Sequence, residues 1–370
     1  VLDFSALANQ LPLGDYTFYI GVYDTRFRLV EDSLRISVIP DIDHIADEAN
    51  IMDVWAKFAT IRGRWYTVAR PEGIALEYST DRNRWTTVTA LSFNDATKTF
   101  TAFLTDLEPS TTYYFRTTST GKGASETVRE FTTENAEQVP YLKFDTWYKS
   151  GKSYYLGEET ATKLWDSGNE GANTMSEKNP TAPDYTNKVD LPGNEASGYL
   201  ETKVVFGVMA AGNLYTGDFV EAIVNLSNPG AKLDFGIPYT CRPTTMKGYY
   251  KYQPEKITQT SRPNVNKGDL DSCYIYIALF ADWTAPFRVN TQTATFVDLS
   301  TAIAYGEMKD SRRMEEFEEF TINLEYRDKT RKPKYILIVA TASKYGDYFT
   351  GAEGSKLWID EFELGFDPVE

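Results

Sequence analysis

Three loops of this chain set tryptophan and tyrosine beside fixed polar groups. They are Trp147 to Tyr155 together with Trp165-Asp-Ser-Gly-Asn-Glu-Gly171, then Arg242 through Lys247-Gly-Tyr-Tyr-Lys-Tyr252, and Asp282-Trp283. Flat rings stack on the C–H face of a pyranose while Asp, Asn, Arg and Lys bind its hydroxyls in the plane, so the chemistry these loops suit is sugar recognition. A fourth loop, Ser343 to Ser355, holds three glycines and three aromatics directly before the last strand. The candidate stacking rings are Trp147, Trp165 and Trp283. The candidate hydroxyl partners are Asp166, Asn169, Arg242, Lys251, Lys344 and Asp347, with Tyr250 beside them. Each loop also has a plainer reading, in which rings cover sheet edges or plug sandwich ends and glycines mark tight turns.

Hydrolysis of a glycoside makes a different demand, two carboxylates facing each other across the bond at roughly 5 to 9.5 Å. Asp145, Asp166, Glu221, Asp282, Asp347 and Asp360 are available, but no spacing makes a pair visible, and the catalytic residues are left unassigned. Glu221 shares parity with Phe219 and Ile223 and has no acidic partner two residues away. Asp360 shares parity with Trp358, Phe362, Leu364 and Phe366, which puts a carboxylate on an apolar face unless a bulge intervenes. With a bulge, Asp360 and Glu361 are solvated or bonded to a loop.

Composition narrows the classes. The 38 Lys and Arg against 53 Asp and Glu give a net charge of −15, which repels nucleic-acid phosphates and acidic membranes. The single histidine, His44, excludes His-based triads and His-rich metal sites. Cys241 and Cys273 are too few for a disulfide scaffold and read as unpaired, buried thiols. No cofactor is called for; a structural calcium ion held by scattered loop oxygens would leave no motif. No apolar run is long enough to span a membrane, and Val1 opens directly into a globular pattern, so any export signal is expected to have been cut away or left off.

The elements that must carry these loops are strands. Residues 1–40 hold two strand runs, Tyr16 to Tyr23 and Ser33 to Val38, and read as a partial immunoglobulin-like segment. Residues 41–135 read as a sandwich of seven short strands, among them Asp53 to Ala59, Ile74 to Ser79, Thr99 to Leu104 and Thr112 to Thr117. Leu107-Glu-Pro-Ser-Thr-Thr-Tyr113 and the closing Phe131-Thr-Thr133 resemble the fibronectin type III pattern with its tyrosine corner. From 136 to 370 alternation repeats with almost no helical period. Thr202, Val204, Phe206 and Val208 share a face, as do Cys273, Ile275, Ile277 and Leu279, then Phe320, Ile322, Leu324 and Tyr326. Tyr335 to Ala342 is apolar on both faces, as a central strand requires, and only Arg312 to Phe320 could pass for a helix. The fold class is therefore all-β: an immunoglobulin/fibronectin III-like β-sandwich followed by a larger β-jelly-roll sandwich.

Trp165-Asp-Ser-Gly-Asn169, Gly212-Asn-Leu-Tyr-Thr-Gly217, Arg242-Pro243 with Gly248-Tyr-Tyr-Lys-Tyr252, and Ser343 to Gly351 with Leu357-Trp-Ile-Asp360 resemble the putative carbohydrate metabolism domain family of gut Bacteroidetes. That resemblance implies a jelly roll behind an immunoglobulin-like region, an exported protein of the cell envelope, periplasm or cell surface, and a pocket placed like the sugar sites of glycoside hydrolases. It hands over no catalytic pair. The expected function is binding of a neutral oligo- or polysaccharide by residues 136–370, with glycoside hydrolysis and an adhesion or assembly role through envelope protein partners as the alternatives.

Overall fold

A strand with alternate apolar side chains can bury one face, and a chain that repeats this pattern without helical period must close sheets on each other. The computed structural model does so. It describes residues 11–12, 14–38, 42–45, 53–120, 123–124, 128–174, 176–205, 207–225 and 228–369. Apart from the short helix Asn169–Asn173 and two 3-10 turns, the regular structure among them is strand, in sandwiched sheets. No helix among the described residues is long and apolar enough to cross a membrane.

The chain divides into two compact units. The smaller takes residues 1–48, 59–104 and 111–132. It contains the hairpin of Gly14–Tyr23 with Leu29–Val38, a four-stranded sheet through Ala59–Trp65 and Thr99–Leu104, and a five-stranded sheet built on Thr112–Ser119. Ile61, Leu76, Phe115 and Phe131 are fully enclosed, as are Trp65 and Phe100. His44 stands in the strand Ile42–Ile45, opposite Gly63. The strand expected from Asp53 begins only at Ala59, because 53–58 folds as turns within the larger unit.

The larger unit takes 49–58, 105–110 and 133–370. One sheet of nine strands runs in the order Phe287–Asn290, Gly230–Phe235, Asn213–Ile223, Tyr335–Thr341, Cys273–Phe280, Ala304–Asp310, Glu325–Tyr326, with two short strands off this path. A second sheet runs Thr181–Asp184, Ser197–Glu201, Lys356–Gly365, Thr245–Gln253, Glu318–Asn323. Their facing sides form one core. Leu214, Ile275, Ile277, Leu279, Ile336 and Ile338 belong to it from the first sheet, with Met246, Tyr252, Ile322, Leu357, Ile359 and Phe362 from the second.

Tyr335–Thr341 is buried at every position in mid-sheet, and Cys241 and Cys273 are free and buried, as expected. The run from Thr202 to Val208 is not one strand: Lys203–Val205 and Val208–Ala210 pair as a hairpin, and Gly207 takes a φ of +82° that a side chain would resist. Phe206 lies outside the described residues. Arg312 to Phe320 is not helical, because the alternation of Phe320 and Ile322 continues backwards as the strand Glu318–Asn323. In the last strand a bulge does intervene. Pairing with Thr245–Gln253 shifts register and Glu361 has a φ of +50°, so Asp360 leaves the face that Phe362 and Leu364 share.

Arg242 anchors the chain entering this sandwich. It is 1% exposed; its Nε donates to Glu134 Oε2 at 2.8 Å, its Nη2 to the Val54 carbonyl at 2.7 Å, and its guanidinium lies 3.8 Å from the Trp55 ring. Removing one partner of a buried pair leaves the other charge desolvated and alone. Arg242→Ala is therefore expected to cost about 3 to 5 kcal/mol, read as a lower midpoint in urea; an unchanged midpoint overturns that role.

Candidate functional site

Alternation has a second consequence in the nine-stranded sheet. If Ile275, Ile277 and Leu279 face the inner core, then Tyr274, Tyr276 and Phe280 face outwards, and the neighbouring strands present Tyr215, Leu337, Val339 and Tyr305 on the same side. Register sets them in rows: Tyr215, Val339, Tyr276 and Glu307 stand opposite one another across four strands, and Asn213, Thr341, Tyr274 and Lys309 form the next row. This outer face is apolar and aromatic, so it too must be covered. The segment 296–302 covers part of it, through Phe296, Val297, Leu299 and Ala302.

Between face and cover lies a cleft of about 270 Å³. Tyr215, Tyr274, Tyr276 and Val339 form its floor; Phe296, Val297 and Leu299 wall one side, and Arg262 and the 343–348 loop complete it. Phe296 and Tyr348 meet with ring centroids 4.5 Å apart, and the Arg262 guanidinium sits 4.1 Å from Tyr348 and 5.0 Å from Tyr345. Lys344 Nζ lies 5.0 Å from the Tyr345 ring.

The loop bearing Lys344 and Asp347 is tied at both ends. Asp271 Oδ2 accepts from Ser343 Oγ at 2.5 Å and from the Ala352 N–H at 2.8 Å, and the Lys344 N–H donates to the Ser272 carbonyl at 2.8 Å. Gly346 has no substitute here, since a Cβ on it would stand 2.3 Å from that of Ala211.

The carboxyls in the cleft and on the strand beside it are tuned apart. Although much of Asp347 faces solvent, the walls desolvate its carboxyl and push it up to about 6. Burial would also raise Glu307, but hydrogen bonds from Tyr274 and Tyr305, each 2.6 Å, and the Lys309 ammonium outweigh it and hold that carboxyl at about 2. The Tyr215 hydroxyl is buried with no protein hydrogen-bond partner. Aromatic faces, a free acceptor and two cations in one cleft can engage both faces and edges of a sugar ring.

Of the residues proposed from sequence, Lys344 and Asp347 line this cleft. Trp165, 1% exposed, is enclosed in the inter-sheet core and donates from Nε1 to the Pro140 carbonyl at 2.8 Å, out of reach of a ligand. Trp147 packs half-buried against the same core and donates to the Phe144 carbonyl, and Trp283 stacks on Phe280 at 3.8 Å. Asn169 is spent on Tyr154 and Thr181 backbone groups, and Arg242 on the anchor above. Asp166 is buried and accepts from Lys163 Nζ at 2.6 Å and the Phe219 N–H at 2.7 Å. Burial works against the Lys163 charge, yet its hydrogen bonds to Asp166 and Asp218 prevail and raise the lysine.

Tyr250, in the core, donates to Asp310. Lys251 binds Asn187 and lies 4.7 Å from the Trp358 ring, on the other sheet. The remaining acids are also committed. Asp145 accepts from the Glu195 and Ala196 N–H groups, Glu221 pairs with Lys232 at 2.6 Å, and Asp282 pairs with Arg331 at 2.6 Å. Asp360 accepts from the Val189 N–H and Asn194 Nδ2, both at 2.8 Å, as the loop-bonded form of the bulge implies, and burial raises it to about 6. Sequence reasoning missed Tyr215, Tyr274, Tyr276 and Arg262; Tyr274 and Tyr276 were marked by the parity opposite Ile275 and Ile277. No cluster of three or more His, Cys, Asp or Glu among the described residues is placed to hold a metal ion.

A family model described as a putative carbohydrate metabolism domain matches residues 143–365. Among solved structures, a putative glycoside hydrolase from Bacteroides thetaiotaomicron is 20% identical, with 84% of this chain and 87% of that one covered at a TM-score of 0.49. A putative glycoside hydrolase from Bacteroides vulgatus is 21% identical, with 60% of this chain and 96% of that one covered at a TM-score of 0.46. No curated protein matches the chain.

Asp347 and Asp360 each release a proton near 6 when folded and near 3.8 when not. Between these values the folded state binds more protons, so these groups make stability fall as pH rises from about 4 to 6. Urea midpoints across that range are expected to fall less steeply in Asp347→Asn than in the parent; an identical slope would show that the Asp347 carboxyl is not desolvated.

Proposed function

We propose that this chain, which belongs to the putative carbohydrate metabolism domain family, binds a neutral glycan in the cleft on the outer face of its nine-stranded sheet. The observation that carries the reading is the aromatic floor of Tyr274 and Tyr276 in one cleft with a tethered loop bearing Lys344, Tyr345 and Asp347. Rings and edges are both supplied, which is what a pyranose needs. A net charge of −15 favours a neutral ligand over an acidic one. In this reading the protein is exported to the cell envelope, and the smaller unit serves as a spacer.

A second reading, glycoside hydrolysis, is favoured by one observation. Two carboxyls with opposite tuning flank Tyr276: Asp347, raised to about 6, acts on it through its charge, and Glu307, lowered to about 2, is its register partner on the next strand. Carboxyls pushed apart in this way divide into a proton donor and an ionised partner. Asp347 is then the acid and Glu307 the anion.

Both readings are tested by a glycan array with reducing-end release measured on every glycan that binds. Tyr345→Ala and Asp347→Asn are each expected to weaken binding about tenfold or more, equivalent to about 1.4 kcal/mol. Wild-type affinity in both variants would move the site elsewhere. If release occurs, Glu307→Gln is expected to cut turnover by about a hundredfold or more; binding without release leaves recognition alone.

A further inference from the structure

The aromatic cleft shares Asn213, Gly346 and Asp347 with a second cavity of about 210 Å³. The two differ in kind. The second is walled by Val205, Val208, Met209, Phe219, Ala222 and Leu233, and Asp347, on the shared wall, is the one charged side chain among its described lining residues. Its polar side chains, Thr174, Asn213, Asn225, Thr291 and Asp347, are outnumbered by apolar ones, so a sugar ring there would lose more water hydrogen bonds than it regained. An apolar group loses nothing by the same transfer. A cavity of about 150 Å³ holds a benzene ring, so this one has room for a short alkyl, acyl or aryl group.

Because Asn213, Gly346 and Asp347 line both, the two cavities stand side by side. The wall there is thin because Gly346 has no side chain and packs against Ala211. We infer that the ligand is a glycan carrying a short apolar substituent, with its sugar in the aromatic cleft and its substituent, an alkyl or aryl aglycone or an acyl group, in the aliphatic cavity. This rests on the glycan reading and narrows it: an unsubstituted sugar fills half of the site.

The test uses methyl, butyl and hexyl glycosides of glucose, galactose, mannose and xylose, titrated against the whole chain by NMR. For a sugar whose methyl glycoside binds, affinity is expected to rise about fourfold per added methylene until the cavity is full. Ala222→Trp and Val208→Phe fill the cavity from two different strands; in whichever of them melts like the parent, the gain with chain length should vanish while methyl glycoside affinity stays. Affinity independent of chain length overturns the inference and leaves glycan binding standing. A gain that survives in a folded cavity-filling variant places the substituent elsewhere and overturns it as well. Binding of no methyl, butyl or hexyl glycoside in the panel counts against both the inference and the glycan reading.

Discussion

The constraint on which the larger unit depends is that two central strands of its nine-stranded sheet have no wet face. A sheet in a sandwich ordinarily buries one side and presents the other to water. Here Tyr335–Thr341 and Cys273–Phe280 are apolar on both sides, so the inner side is covered by the second sheet and the outer side has to be covered by connecting segments. Segments cover a twisted surface less completely than a sheet does, and the space they leave is where the two cavities lie. The cleft is thus a by-product of burying the outer face.

The double apolar character of Tyr335 to Ala342 and the parity of Cys273, Ile275, Ile277 and Leu279 are local patterns, which is why the sandwich and its inner core were legible in the sequence. Asp360 was legible as a choice between a strained parity and a bulge, and the bulge relieves the conflict. The cleft was half legible. Ser343 to Gly351 marks itself by composition, whereas Arg262 comes from a distant segment and reaches the cleft only in the folded chain.

Trp165, Asn169 and Arg242 show why composition misled. A ring or amide spent on a buried backbone carbonyl and one offered to a sugar look alike in a string of letters. What separates them is the partner, Pro140 for Trp165, Thr181 for Asn169 and Glu134 for Arg242, and only the folded chain brings it near. These polar groups secure long loops to the core, where leaving them unpaired would be costly. Asp347, in the cleft, carries no such tie.

Asp271 reaches both ends of the segment from Ser343 to Ala352 with a single carboxylate oxygen, turning a ten-residue excursion into a closed arch. The freedom of that arch is surrendered when the protein folds, not when a ligand arrives. Encounter with a ligand should thus resemble a key entering a finished lock: little heat-capacity change beyond that of the surface covered, and discrimination by outline between molecules of like polarity.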